Sequence, residues 1–348
     1  MSQPQTHRVE FIGNAKTYFG IWIVNILLSI VTLGIYSAWA KVRTRRYFAQ
    51  NTLIDKRRFD YHATGGQILI GRIIVVLGLA VLAIPLVNIV AAIALFFALP
   101  WLLNRSIAFN ARMTSFSGVR FGFKGSYGRS FLVFILYPIL AALTLFTTYP
   151  FSARATHRYI IGQHRFGTAN FGFDSPIGPF YKAFLFAVGW SALVLVVGFF
   201  ALGGTQLLYT LAMSQQPGGQ PDPAFIWSIV LFYVVLLVAI LPAGFIYQAY
   251  LRNAVYAQAT LEGGYRFHSS LSPVKLMWIA LSNAVVVACT LGLMLPWAKI
   301  RMARYLADHT QVHAAGSLDE FVGQESEKVS ALGDAYTDIE GIDLGVAI

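Results

Sequence analysis

The chain has 348 residues, 57% of them hydrophobic and only 12% charged, where soluble domains carry roughly 45–50% and about 25%. Its net charge of +11 is uneven, +19 over residues 1–305 and −8 over residues 306–348. The basic residues flank apolar runs, which suits anionic lipid head groups rather than nucleic acid, and the single cysteine, Cys289, excludes a disulfide framework or a Cys-based metal site.

Residues 1–10 are polar with no h-region, so the first apolar segment is expected to act as its own insertion signal. Seven apolar stretches read as membrane helices: 18–39, 68–86, 87–103, 131–150, 183–209, 225–247 and 276–297. The second and third form one 31-residue run from Ile73 to Leu103. That is too long for a single crossing of about 20 residues, so a break near Pro85 and Asn88 is expected. A Gln/Pro/Gly linker over 214–223 joins the fifth and sixth.

Around these segments runs a second pattern. It reads Arg58-Phe59-Asp60-Tyr61 after Thr52, Arg120-Phe121-Gly122-Phe123 after Thr114, Asn170-Phe171-Gly172-Phe173, and Arg266-Phe267 after Thr260, with a fragment at Val9-Glu10-Phe11. Alternating aromatic and small residues with nearby glycine predict short extended hairpins at the membrane surface. The last 40 residues are acidic and Gly-rich, which predicts a mostly mobile tail whose apolar end (Ile342, Leu344, Val346) docks back.

The strongest signal is a motif written twice, 258 residues apart. Asn25, Thr32-Leu33-Gly34, Trp39-Ala40-Lys41, Arg43 and Arg46-Tyr47 match Asn283, Thr290-Leu291-Gly292, Trp297-Ala298-Lys299, Arg301 and Arg304-Tyr305. A weaker copy, Thr144-Leu145, Phe151 and Arg158-Tyr159, lies 112 residues after the first. The fold expected is an all-α membrane protein with about seven transmembrane helices in an A-B-C, A′-B′-C′, A″ order and hairpin-like surface loops. Its expected divisions are 1–110 (A, B, C), 111–255 (A′, B′, C′), 256–307 (A″) and an acidic tail over 308–348.

Two rules disagree about the motif-bearing A segments. If each spans, the second unit is inverted relative to the first, as in many transporters, and lysine and arginine divide 16 to 9 between the faces. If each dips in and returns, all 25 outside the membrane lie on one face, a far cleaner positive-inside pattern. From Gly34 to Lys41 a helix rises only about 10 Å, too little to climb back, so spanning is preferred.

The string Ile30-Val31-Thr32-Leu33-Gly34-Ile35-Tyr36-Ser37-Ala38-Trp39-Ala40-Lys41, followed by Arg45-Arg46-Tyr47-Phe48, Asn51-Thr52 and Phe59-Asp60-Tyr61, resembles the YjgN-like bacterial inner-membrane proteins. The likeness covers residues 9–305 and implies a multi-pass protein of the bacterial inner membrane. That family is a domain of unknown function, so the resemblance brings no activity, cofactor or catalytic residue. The middle copy departs from the pattern, with Pro150-Phe151-Ser152-Ala153 in place of the Trp-Ala-Lys core.

Candidate site residues fall in two groups. Asn25 and Asn283 lie mid-helix among apolar neighbours and need partners, most simply hydrogen bonds across helices between repeats. Thr32 and Thr290 open helix-ending turns whose freed carbonyls their hydroxyls can satisfy. Lys41, Arg43 and Arg46, with Lys299, Arg301 and Arg304, are placed to hold an anion or lipid head group, or simply to set topology. No Asp or Glu occurs within the seven segments, which argues against an obvious proton-driven mechanism. His309 and His313, four apart, form at most a weak metal pair, as do His157 and His164, and no phosphate-binding or nucleophile motif is present. The expectation is therefore a non-enzyme without metal or cofactor, partnered by anionic membrane lipids and by copies of itself or another protein. It would act as a transporter or channel for a small solute or lipid, or alternatively as a scaffold that binds anionic lipid.

Overall fold

A computed structural model describes residues 5–201, 204 and 223–337. Ten strands close into a barrel, which overturns the all-α expectation. They are β1 (Gln5–Phe11), β2 (Thr52–Ile54), β3 (Arg57–Tyr61), β4 (Thr114–Phe116), β5 (Val119–Phe123), β6 (His164–Phe166), β7 (Ala169–Phe173), β8 (Ala259–Leu261), β9 (Tyr265–Ser269) and β10 (Thr310–Ala314). Each strand is antiparallel to its neighbours in sequence, and β10 returns to pair with β1 through Gln5↔Ala314. The aromatic hairpins read from sequence are real. What single-sequence reading could not show is that they pair edge to edge until no open edge remains.

Tight turns join β2 to β3, β4 to β5, β6 to β7 and β8 to β9. Asp55 and Lys56 hold φ of 50° and 62°, and Ser117 and Gly118 hold 51° and 88°, the backbone of two-residue hairpin turns that match strand twist. The other five connections are helix pairs. Connections of an up-and-down barrel alternate between its ends, so the helix pairs after β1, β3 and β5 leave and return at one rim and the tight turns line the other.

The helices are α1 (Ala15–Val31), α2 (Ser37–Gln50), α3 (Gly65–Leu82), α4 (Val87–Met113), α5 (Tyr127–Leu143), α6 (Tyr149–Gly162), α7 (Gly178–Ala201), α8 (Pro223–Gln258), α9 (Pro273–Cys289), α10 (Leu295–Asp308) and α11 (Leu318–Thr337). Four are long and apolar enough to cross a membrane: Gly65–Leu82, Val87–Met113, Gly178–Phe200 and Ile229–Gln258. The break expected near Pro85 is the turn between α3 and α4. The linker at 214–222 and the apolar end of the tail lie outside the described residues. Pro176–Ala254 and Leu271–Leu281 form a compact unit of their own, where Trp190 Nε1 donates to Ala239 O at 2.9 Å. The barrel and the remaining helices make up the other unit.

The preference for spanning A segments is corrected here. After α1 the backbone reverses at Leu33 (φ 49°) and Gly34 (φ 90°), and α2 carries the chain back to β2, which pairs with β1. The return leg is 14 residues, about 21 Å, against about 26 Å for the 17 residues of α1. The sequence argument failed because it ended the return at Lys41, when the helix runs on to Gln50. Leu291 and Gly292, at φ 50° and 90°, reverse α9 into α10 in the same way. At each turn the threonine satisfies a carbonyl of the outgoing helix and an amide of the returning one: Thr32 Oγ1 donates to Leu28 O at 2.7 Å and accepts from Tyr36 N at 2.9 Å. Thr290 does the same with Val286 O and Met294 N. Because the reversal leaves few polar backbone groups open, it can sit at membrane depth. Leu33 and Leu291 stand 94% exposed at the tips, where lipid rather than water is the natural solvent.

The barrel interior is aromatic. Phe116, Phe166, Val312 and Tyr265 form its buried centre, ringed by Phe59, Phe121, Phe171 and Phe267. Leu318, Phe321 and Val322 of α11 enter the same cluster and leave an apolar cavity of about 80 Å³. The stretch expected to be a mobile tail thus supplies a barrel strand and a plug. Glu325 of α11 is 1% exposed and accepts from Thr168 N at 2.7 Å, Thr168 Oγ1 at 2.7 Å, Ala169 N at 3.1 Å and Lys328 Nζ at 2.9 Å. Gly167 (φ 57°) is required there, because a Cβ would lie 2.8 Å from that carboxylate.

Candidate functional site

The closure of β10 on β1 decides what meets what among the helices. It sets the last helix pair, α9 and α10, beside the first, where Phe11, Tyr18, Ile300 and Ala307 pack with Tyr47 and Phe48. A cavity of about 660 Å³ opens between α1, α2, α3 and α10. Its polar wall is Asn25, Ser29, Ser37 and Thr44, its cations are Lys41, Arg45, Arg72 and Lys299, and Trp22, Ile26 and Ile30 give it an apolar side.

Each cation has a distinct standing. Arg45 Nη1 donates to Tyr61 Oη at 2.9 Å and to Asn110 Oδ1, and its guanidinium lies over the Tyr61 ring. Arg72 donates to Ser37 Oγ and to Ser37 O at 3.4 Å. Lys41 and Lys299 carry no hydrogen bond or ion pair among the described residues, and no carboxylate lines the cavity. Lys41 and Lys299 each stand nine residues before the end of a returning helix, about 14 Å from the barrel rim. Arg72 is seven residues into α3, about 10 Å from that rim.

The other sequence candidates are occupied by the fold. Asn25 Nδ2 donates to Ala40 O at 3.5 Å and its Oδ1 accepts from Arg43 Nη1 at 3.4 Å. Asn283 repeats this more tightly, with Ala298 O at 3.1 Å and Arg301 Nη1 at 2.9 Å. These bonds tie the two legs of one helix pair together, not one repeat to another as expected. Arg301 also donates to Ser282 Oγ at 2.7 Å and lies over the Trp297 ring. Arg46 Nε donates to Tyr61 O at 3.1 Å and Arg304 Nη2 to Gly13 O at 3.2 Å, so each fixes its helix pair to the end of a strand that starts another pair. Lys41 and Lys299 are therefore brought together, whereas Arg43, Arg46, Arg301 and Arg304 are taken up as ties. Arg72 was missed as a site residue. The signal for Arg72 was present, since it is the one charge among the residues from Ile68 to Leu103.

The histidine pairs do not converge. His309 ends α10 and its Nδ1 contacts Tyr305 O at 2.9 Å, while His313 lies in β10 with Nδ1 2.9 Å from Thr6 Oγ1. Among the described residues no group of three or more His, Cys, Asp or Glu is gathered for a metal.

A family profile described as "Bacterial protein of unknown function (DUF898)" matches residues 6–339. The chain belongs to this family. It is 29% identical to "Inner membrane protein YjgN" of Salmonella typhimurium over 92% of both chains. It is also 36% identical to "Inner membrane protein YjgN" of Escherichia coli K12 over 39% of this chain and 35% of that one. No solved structure matches. Together with four helices able to cross a bilayer, these relatives make this DUF898 protein a multi-pass protein of the bacterial inner membrane.

Proposed function

We propose that this DUF898 protein binds a small anion or an anionic head group in the cavity between α1, α2, α3 and α10, and passes it along the membrane-embedded helices. One observation carries the reading: four cationic side chains line a single cavity between helices, with no carboxylate among the described residues to balance them. Cationic side chains inside a bilayer are costly and persist where they serve a pathway or a ligand. An anion bridging Lys41 and Lys299 would remove that cost and use two ammonium groups left without partners. The barrel side, where the lysines and arginines outside the membrane gather if the helix pairs return, would face the cytoplasm by the positive-inside rule.

A second reading, a lipid-holding scaffold, is favoured by the apolar side of the same cavity at Trp22, Ile26 and Ile30. Reconstituted vesicles separate the two. Uptake of a radiolabelled inorganic anion by protein-containing vesicles, lost in Lys41→Gln/Lys299→Gln, is the expected result for transport. No uptake of any anion in a panel, with phosphatidylglycerol retained by the wild type and lost by the double variant, leaves the scaffold reading. Wild-type behaviour of the double variant in both assays overturns the site itself.

A further inference from the structure

The third helix pair, α5 and α6, departs from the motif, and its departures are not random. Where the first pair has Thr17 and Val42, this one has Arg129 and Arg154, and where the last pair has Lys275 and Ile300 it has the same two arginines. Meanwhile the motif positions of Lys41 and Arg43 are Ala153 and Ala155. The lysine position is thus neutral here and the next residue carries the charge instead.

These two arginines converge with the motif arginine Arg158. Arg129, Arg154 and Arg158, with Tyr137 and Gln163, line a cavity of about 380 Å³ between the two legs. Arg129 lies in the first turn of α5 and Arg158 in the last turns of α6, near the barrel rim, while Arg154 stands eight residues before the end of α6, about 12 Å further in. Leu132, Val133 and Phe151 give the same cavity an apolar wall. Leu132–Leu136 forms a π turn within α5, an irregularity frequent at functional sites. Arg154 Nε donates to Ser175 O at 2.6 Å, which fixes the guanidinium at the cavity wall. Arg158 pairs with Asp174 at 2.5 Å, but that carboxylate is 90% exposed and stands outside the lining. The Arg129 side chain has no hydrogen bond or ion pair among the described residues.

We propose that this cavity is a second anion site, taking a phosphate-class oxyanion between Arg129 and Arg154. Arginine presents paired donors that match two oxygens of a phosphate, which lysine cannot do. A cavity with arginines beside an apolar wall fits the phosphate of a phospholipid with its glycerol and first methylenes against that wall. It accommodates free phosphate by the same donors. The site shares no residue with the deep cavity, so it stands or falls independently of the transport reading.

The test uses the full chain in nanodiscs and follows the rate at which phenylglyoxal modifies Arg129, read by peptide mass spectrometry. Three conditions are compared: phosphatidylcholine discs in phosphate-free buffer, the same discs with inorganic phosphate, and phosphatidylglycerol discs in phosphate-free buffer. Protection of several-fold in phosphatidylglycerol alone assigns the site to a lipid, and protection by phosphate as well assigns it to the free ion. Equal rates in all three overturn the proposal. As a second measurement, native mass spectrometry should show Arg129→Gln/Arg154→Gln retaining one fewer phosphatidylglycerol than wild type, while Lys41→Gln/Lys299→Gln keeps that lipid. Retention of every lipid by the Arg129→Gln/Arg154→Gln variant would likewise sink it.

Discussion

Lys41 and Lys299, 258 residues apart and equivalent in two copies of one motif, line the same cavity. Their meeting is a consequence of barrel closure. The antiparallel pairing of β10 with β1 makes the last helix pair a neighbour of the first, so a duplicated lysine becomes a pair. Two ammonium groups in one cavity repel, and an anion between them turns that repulsion into attraction. Removing either lysine should therefore weaken anion binding by roughly 1.5–3 kcal/mol, the worth of a charge-assisted hydrogen bond. Isothermal titration with inorganic anions measures it. Lys41→Arg should keep most of the affinity, and a Lys41→Gln variant that binds as tightly as wild type contradicts the assignment.

Asn25 and Asn283 are predicted to act on stability, and Asn25 also stands in the cavity wall whereas Asn283 does not. Each ties the two legs of its helix pair, and removing an interhelical bond in a membrane costs roughly 0.6–2 kcal/mol. Because the Asn283 bonds at 2.9 and 3.1 Å are shorter than those of Asn25 at 3.4 and 3.5 Å, Asn283→Ala should lower the melting temperature more than Asn25→Ala. The reverse order, or a loss of anion binding at full stability in Asn283→Ala, would contradict the structural role.

Much of this site was legible from the chain, and the limits were physical. Periodicity and length found the helices, and the duplicated Asn, Thr-Leu-Gly and Trp-Ala-Lys positions singled out Lys41 and Lys299. The reversal at Leu33-Gly34 was hidden because a helix that ends and one that turns back share the same local bonds. Only the partner of β1 distinguishes them. Strand β10 was hidden for another reason: Thr310–Ala314 is a five-residue stretch with only Val312 and Ala314 apolar, and its pairing is almost wholly non-local. The positive-inside count favoured the returning topology and carried more weight than a rise counted to the wrong residue.

Gly34 and Gly292 each adopt φ of 90°, and no atom lies within 4 Å of where a methyl group would stand. Substitution by alanine there meets no neighbour and costs only backbone strain, about 1–2 kcal/mol. Gly34→Ala and Gly292→Ala should therefore fold and melt lower by similar amounts. A neutral result would mean that the turn at the tip relaxes freely in lipid.

Glu325 makes the plug sensitive to acid. Burial pushes its carboxyl up, but hydrogen bonds from Lys328 and Thr168 outweigh this and hold it below its ordinary value of 4.5. A carboxylate whose folded value is depressed contributes stability that is present above the unfolded value and lost as pH falls through the folded one. The contact of α11 with the β6–β7 turn should thus be intact at neutral pH and released only in acid below 4.5. Hydrogen exchange of the α11 amides from neutral pH into acid reads this directly, and Glu325→Ala should give fast exchange at every pH. Exchange that stays slow in acid, or in Glu325→Ala, would show that Leu318, Phe321 and Val322 hold the plug without the carboxylate.

The returning helix pairs make a topological prediction that a spanning arrangement cannot share. In a Cys289→Ser background, single cysteines at Asp55, Ser117 and Thr168 all sit on tight turns at the far rim of the barrel, whereas Asn88 begins α4 beyond the α3–α4 turn. With α1 and α2 returning, every barrel turn must lie on one side of the membrane and Asn88 on the other. With α5 and α6 spanning instead, Thr168 would be separated from Asp55 and Ser117. Labelling by a membrane-impermeant maleimide in right-side-out and inverted vesicles decides between them. Asp55, Ser117 and Thr168 should react together in inverted vesicles alone, because the positive-inside rule turns the lysine- and arginine-rich barrel toward the cytoplasm.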